Sequence, residues 1–255
     1  MQIKNFLINL DGSLERYNSA QTQFSENKID FQRIPAVNGH KLDTNALSDY
    51  NAEKTEIYMG RPMTGGEIGC FYSHREALKA FISTDAQYCV IFEDDCLLLE
   101  NYSETTRAVV EWLEAQKTQW DLVNLSSHER KFFRCLTKIG SRELRQAFYF
   151  PMLATAVLWT RNGAIEFLKY HTTVTAPYDN ALREWQSHRN RGLTIYPQIV
   201  TTIAASSDID GQDGPRNRIR KSQILYGLRK RRRSAILKWR AVKNMFAKLD
   251  SSPRT

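Results

Sequence analysis

Four cysteines, Cys70, Cys89, Cys96 and Cys135, are scattered through 255 residues, and no two are spaced as CxxC. That arrangement excludes a zinc framework by pattern. It reads instead as a cytoplasmic protein with reduced, mostly buried thiols. No apolar run approaches the roughly 18 residues of a membrane span. The opening segment MQIKNFLINLDGS has one lysine and a short apolar run before turning polar, without the length or small-residue exit of a signal peptide. A GxxxxGK[ST] loop and a GxGxxG loop are both missing, which weakens ATPase and dehydrogenase readings. No internal repeat is present, and no low-complexity segment precedes the basic tail.

What is present is an ordinary globular composition, 42% hydrophobic and 25% charged. It suffices for a sizeable core in one large domain or two small ones. The net charge of +8 conceals a division. Residues 215–255 hold 14 Lys and Arg against one acid, whereas residues 1–214 hold 22 against 27. An acidic body with a basic tail is information about partners rather than about fold.

Hydrophobic periodicity outlines an α/β chain. Ile3 to Leu10 reads as a buried strand, Leu14 to Asn27 as a helix capped by Ser13, and Phe31 to Val37 as a second strand. This βαβ unit implies a parallel sheet. Residues 40–64 are polar and irregular, a mobile or helical insert. Ile68, Phe71, Leu78 and Phe81 fall on one helical face. Tyr88 to Phe92 is a buried strand, and Cys96 to Leu99 continues it or opens a hairpin. Further on come a helix over Tyr102 to Lys117, a strand at Asp121 to Leu125, and strand material from Ala147 to Thr160. Helices over Arg161 to Tyr170 and Asp179 to His188 follow, then late strands at Leu193 to Tyr196 and Ile199 to Ile203.

In an open α/β sheet, ligands bind beyond the carboxyl ends of the strands. Glu93-Asp94-Asp95 lies there. Three adjacent carboxylates repel one another, and a hard divalent cation relieves the repulsion and bridges to phosphates. Alternation puts Glu93 and Asp95 on one face as the candidate metal ligands. Asp94 points elsewhere, to a backbone cap or a ribose hydroxyl. Read alone, the cluster is equally a solvated acidic turn. Asn9-Leu10-Asp11 with Arg16 ends the first strand and opens a helix, a place that favours phosphates but is also an ordinary turn. Ala36-Val37-Asn38-Gly39 closes the next strand at the same edge, and Gly39 permits close approach of a flat ligand or simply makes a turn. In Gly66-Glu67-Ile68-Gly69-Cys70-Phe71-Tyr72-Ser73-His74, Ser73 and His74 lack a nearby acid, which excludes a serine-hydrolase reading. His74 is either a satisfied core histidine or a ligand contact. Asp179, after Pro177, is by default an N-cap and otherwise a general base.

Together these segments resemble glycosyltransferase family 25, the bacterial lipooligosaccharide biosynthesis transferases related to collagen galactosyltransferases. The carriers are Ile8-Asn9-Leu10 with Arg16, Arg33 to Gly39, Gly66 to His74, and Val90 to Asp95, with weaker matches at Gly163-Ala164 and Pro177-Tyr178-Asp179. The resemblance implies a GT-A-like nucleotide-sugar-binding sandwich with a mostly parallel central sheet over residues 1–214. It implies an inverting transfer of a hexose, often galactose, from a UDP-sugar to a lipooligosaccharide or lipopolysaccharide acceptor. Glu93 and Asp95 would hold Mn²⁺ or Mg²⁺ against the diphosphate. Asn9, Leu10, Arg16, Ala36 and Gly39, with Ser73 and His74, would line the nucleotide pocket. Asp179 would be the base, and Asp94 a second catalytic carboxylate. The cluster reads EDD rather than DxD.

In the tail, Ile236, Trp239, Val242 and Phe246 recur at helical spacing among arginines and lysines. This is the pattern of an amphipathic helix on an anionic membrane surface. It suits a lipid-linked acceptor and a place on the inner face of a bacterial cytoplasmic membrane. No nucleic-acid-binding motif is present. The rival reading is a non-enzymatic module, with a structural cation at the acidic cluster and the tail anchoring it to membrane or nucleic acid.

Overall fold

The structure, a computed structural model, describes residues 2–128, 131–203 and 223–250. The chain opens with β1 (Ile3–Asn9), α1 (Leu14–Glu26) and β2 (Gln32–Pro35), then α2 (Ala52–Met59) and α3 (Gly65–Ile82). Next come β3 (Tyr88–Glu93), β4 (Cys96–Leu98), α4 (Tyr102–Ala115) and β5 (Leu122–Asn124). A hairpin of β6 (Phe133–Ile139) and β7 (Arg142–Ala147) follows, then β8 (Ala156–Thr160), α5 (Arg161–Tyr170) and α6 (Tyr178–Arg189). The body ends with β9 (Gly192–Tyr196) and β10 (Val200–Thr202), and a basic helix runs over Gln223–Asp250.

The main sheet has eight strands in the order β2-β1-β3-β8-β5-β9-β7-β6. β2, β1, β3, β5, β9 and β6 run one way, and β8 and β7 run against them. The sheet is thus mostly parallel in direction, with the reversed strands making its antiparallel pairings. Alternation along the strands explains its burial on both faces. Phe6, Ile8, Ile91 and Trp159 enter one core with α3, α5 and α6 residues such as Phe71, Phe167 and Trp185. Leu7, Val90, Phe92 and Leu158 enter the other with Phe24, Val109 and Leu113 from α1 and α4. Truncating a fully buried ring such as Phe92 would cost about 3–5 kcal/mol.

The βαβ expectation holds, since β1 and β2 pair in parallel with Asn9 beside Pro35. The polar stretch after residue 40 contains the helix α2. Two expectations need correction. Cys96–Leu98 neither extends β3 nor folds back on it, but pairs antiparallel with Val200–Thr202 in a separate small sheet. Within the stretch assigned to strand from Ala147 to Thr160, only Ala147 and Ala156–Thr160 are extended strand, and an irregular connection around Pro151 separates them. The β6–β7 hairpin carried no apolar run to announce it. Of the thiols, Cys89 and Cys96 are buried, Cys70 is half-buried and Cys135 is exposed, and none of the four is in a disulfide.

The basic helix packs on α2 and α6. Among its described side chains Tyr226, Leu237 and Ala241 are buried, and Arg134 Nη2 donates to the Met245 carbonyl at 2.6 Å. The expected 214/215 boundary lies outside the described residues.

Candidate active site

Parallel pairing brings the carboxyl ends of β2, β1 and β3 side by side, with Ile8 registered against Glu93 and Asn9 against Pro35. Beyond those ends lies a cleft of about 190 Å³. Asn9, Leu10, Arg16, Ala36, Gly39, Ser73, His74, Glu93, Asp94 and Asp95 all line it. Sequence separations of up to 86 residues are therefore closed by the sheet. Asp179 is not among the lining residues.

The three acids of the cluster have different surroundings. Asp94 Oδ2 accepts from Asn9 Nδ2 at 2.7 Å, and its Oδ1 lies 3.4 Å from Arg16 Nη1. Asn9 is held in turn, its Oδ1 accepting from Arg33 Nε at 2.9 Å. The middle carboxylate is thus built into the protein. Glu93 Oε1 lies 3.0 Å from His74 Nε2. Asp95 Oδ1 is buried with no hydrogen-bond partner. Burial, then repulsion from Glu93 and Asp94, pushes the Asp95 carboxyl up to about 6, against the opposing pull of Arg16. An orphaned carboxylate oxygen in an acidic cleft is costly. The donor chemistry of such a carboxylate cluster fits a hard divalent cation.

The loop after β2 is wedged against α3. An added Cβ at Gly39 would stand 1.8 Å from the Gly65 carbonyl oxygen. The close approach that glycine allows here is therefore to protein backbone, while Gly39 also stands in the cleft lining. Ser73 Oγ accepts from Val37 N–H at 2.8 Å and donates to the Gly69 carbonyl at 2.7 Å, so it ties loop to helix. Thr64 and Glu67 form a capping box at the start of α3. Glu67 also takes a bidentate pair from Arg61 at 2.7 Å. His74 is buried, and its ring stacks on Tyr178 at 3.9 Å between centroids.

Asp179 sits in the first turn of α6, but the N-cap position belongs to Pro177. Its Oδ2 accepts from Leu153 N–H at 3.4 Å. Burial, then the charge of Glu93, raises its carboxyl to about 6. Leu153 adopts φ 85°, a conformation costly for a residue with a Cβ, and its carbonyl accepts from Asn124 Nδ2 at 2.6 Å. Arg33, Asn124, Leu153 and Cys70 were not singled out in the sequence for roles at this site. Arg33 lay in a matching segment, yet nothing in its pattern showed that it props Asn9.

A family model described as glycosyltransferase family 25 (LPS biosynthesis protein) matches residues 2–182. Procollagen galactosyltransferase 1-A of Xenopus laevis is 31% identical over 124 residues, covering 47% of this chain and 20% of that protein. Procollagen galactosyltransferase 2 of Mus musculus is 29% identical over 122 residues, covering 46% and 20%. Inactive glycosyltransferase 25 family member 3 of Homo sapiens is 28% identical over 124 residues, covering 47% and 21%. The matched stretch spans about a fifth of the length of these relatives. Among solved structures, a glycosyltransferase involved in glycosylation of the major capsid of PBCV-1 superposes over 81% of this chain and 96% of that one. Its TM-score is 0.41, at 9% identity.

Proposed function

The chain belongs to glycosyltransferase family 25, and from that premise we propose that it transfers a hexose, galactose first among the candidates, from a UDP-sugar to a glycan acceptor. The observation that carries the reading is the meeting of Asn9, Arg16, Ala36 and Gly39 with Glu93, Asp94 and Asp95 in one cleft at the strand ends. The galactose preference draws on relatives whose names are galactosyltransferases.

Asp95, with its unpartnered oxygen, and Glu93 would hold Mn²⁺ or Mg²⁺. A bound divalent cation supplies Lewis-acid stabilisation of the diphosphate leaving group. Asp94 anchors Asn9 and Arg16, and so sets the shape of the nucleotide-binding wall. Arg16 adds positive charge beside the diphosphate. Inversion needs a carboxylate opposite the leaving group to take the acceptor hydroxyl proton. Asp179, with its carboxyl raised to about 6 by burial and Glu93, is the candidate. It lies outside the cleft lining, so it would serve an acceptor entering from the Leu153 side.

For a lipopolysaccharide-type, lipid-linked acceptor, a place on the inner face of a bacterial cytoplasmic membrane would suit the basic helix. While Tyr226, Leu237 and Ala241 face the body, Leu228, Ile236, Trp239 and Phe246 are exposed. At 100° per residue, Leu228, Trp239 and Phe246 fall within about 20° of one line. Arg229, Arg231, Arg232 and Lys243 are also exposed around that line. The apolar and cationic outer face matches an anionic lipid surface. Among the described residues no helix is long and apolar enough to cross a membrane.

A screen of UDP-sugars with Mn²⁺, read by UDP release and sugar transfer, tests the reaction. Galactose transfer that chelation abolishes is expected. Release from no nucleotide sugar, with every cation tried, would leave a non-enzymatic module as the better account. Sedimentation with anionic vesicles tests the helix, and binding unaltered by Trp239→Glu with Phe246→Glu would remove the membrane role.

A further inference from the structure

Cys70 and His74 stand one turn apart on α3, and therefore share a face. That face meets the end of β3 at Glu93. Cys70 Sγ lies 3.9 Å from Glu93 Oε1, and His74 Nε2 lies 3.0 Å from the same oxygen. The sulfur, nitrogen and carboxylate oxygen all lie within 4.8 Å of one another. All three residues line the cleft, which gives an ion an entry path. The imidazole is fixed by its stack on Tyr178, with an interplanar angle of 13°. A mixed sulfur–nitrogen–oxygen set of this size differs in chemistry from the carboxylates of Asp94 and Asp95. Thiolate and imidazole favour borderline-soft ions over Mg²⁺ or Mn²⁺.

We propose that Cys70, His74 and Glu93 form a second cation site in the cleft, selective for thiophilic divalent ions such as Zn²⁺ and sharing Glu93 with the hard-cation site. The ion takes the place of protons, since a thiol and an imidazole nitrogen must be free of protons to ligate. Two anionic ligands balance the charge of the ion. An ion seated there engages the Glu93 carboxylate, so it opposes binding of the hard ion at Asp95. The binding part of this proposal stands independently of the transferase reading; only the inhibitory part rests on it.

Co²⁺ is the probe, added to the metal-free 255-residue chain. One equivalent should produce a near-ultraviolet thiolate-to-cobalt charge-transfer band together with visible bands of tetrahedral strength. Cys70→Ser should abolish the charge-transfer band, and His74→Gln should weaken Co²⁺ binding on the order of 100-fold, at least the cost of losing an outer-shell partner. Cys135→Ser, which removes the exposed thiol, should change nothing. Circular dichroism of each variant separates loss of ligation from loss of fold, and Glu93→Gln gives an independent test on the strand side. If the wild type shows no such band, or if the band survives in folded Cys70→Ser, the site does not exist. Where transfer is measurable, Zn²⁺ should inhibit the wild type in competition with Mn²⁺, and Cys70→Ser should be at least about tenfold less sensitive. Equal sensitivity would refute the shared-ligand inhibition while leaving the cobalt result to decide the site.

Discussion

The two ends of the main sheet are built on opposite plans. At one end, β1, β2 and β3 lie parallel and end together, so that Asn9, Pro35 and Glu93 form a single rim. At the other, β6 and β7 are an antiparallel hairpin whose outer strand is half-buried or exposed throughout. Parallel strands concentrate backbone ends, glycines and acids at one place, and antiparallel ones disperse them. The chemistry of the molecule follows that difference. The rim is expected to be intolerant of change, and the hairpin forgiving.

The largest difference in stability is expected between two glycine substitutions, one at the rim and one in the hairpin. Gly39→Ala drives a Cβ to 1.8 Å from the Gly65 carbonyl, and should cost more than about 4 kcal/mol or abolish folding. Gly140→Ala, in the hairpin turn, meets nothing within 4 Å and suffers only from its φ of 59°. It should cost about 1 kcal/mol. Similar losses for the two, by denaturant melts, would show that the rim is not specially constrained. Next comes Asp95→Ala, expected to lower transfer on the order of 1000-fold, or about 4 kcal/mol of transition-state stabilisation, in a folded protein. Near-normal turnover that still needs the cation would remove Asp95 as its holder.

A third comparison uses pH. The Asp179 carboxyl is raised from 3.8 to about 6 in the folded chain. Its protonated form is thus the one that folding favours. The stability involved is fully present below about pH 4 and is lost as pH rises through 6. Asp179→Asn lacks that loss, so its melting temperature relative to wild type should climb between pH 4 and pH 7 without added cation. Two pKa units correspond to about 3 kcal/mol, reduced to about 1–2 kcal/mol because the residue keeps partial contact with solvent. A difference flat with pH would place the carboxyl in water. The smallest effect on turnover is expected at Arg145, whose guanidinium lies between Phe133 at 3.8 Å and Tyr196 at 4.0 Å. Arg145→Ala should cost about 1–2 kcal/mol of stability and leave turnover per folded molecule unchanged.

The same contrast explains what could be read in advance. Strands such as Phe6-Leu7-Ile8 and Val90-Ile91-Phe92 are apolar on both faces, so their runs and the acids that end them stand out in the sequence. The cleft residues were legible for that reason. β6 and β7 carry no apolar run, in the segment KFFRCLTKIGSRELRQA; isolated residues, Leu144 in the core with Leu136 and Ile139 packed against it, tie them to the body. Cys96-Leu97-Leu98 looked like more of β3 because local pattern cannot reveal a partner a hundred residues away. Individual roles within the cleft were less legible than membership. Nothing in EDD itself says that Asp94 is the acid tied to Asn9 and Arg16 while Asp95 keeps a bare oxygen.

The partnership of β4 with β10 bears on how the cleft meets an ion. Asp94 and Asp95 form the turn between β3 and β4, and the Asp95 carbonyl accepts from Ile203 N–H at 2.8 Å. The turn is therefore held by one sheet on its way in and by another on its way out. A loop so pinned has little chain entropy left to lose. Cation capture should then show almost no heat-capacity change by titration calorimetry, and its rate should follow how readily each ion sheds water rather than how fast the polypeptide rearranges.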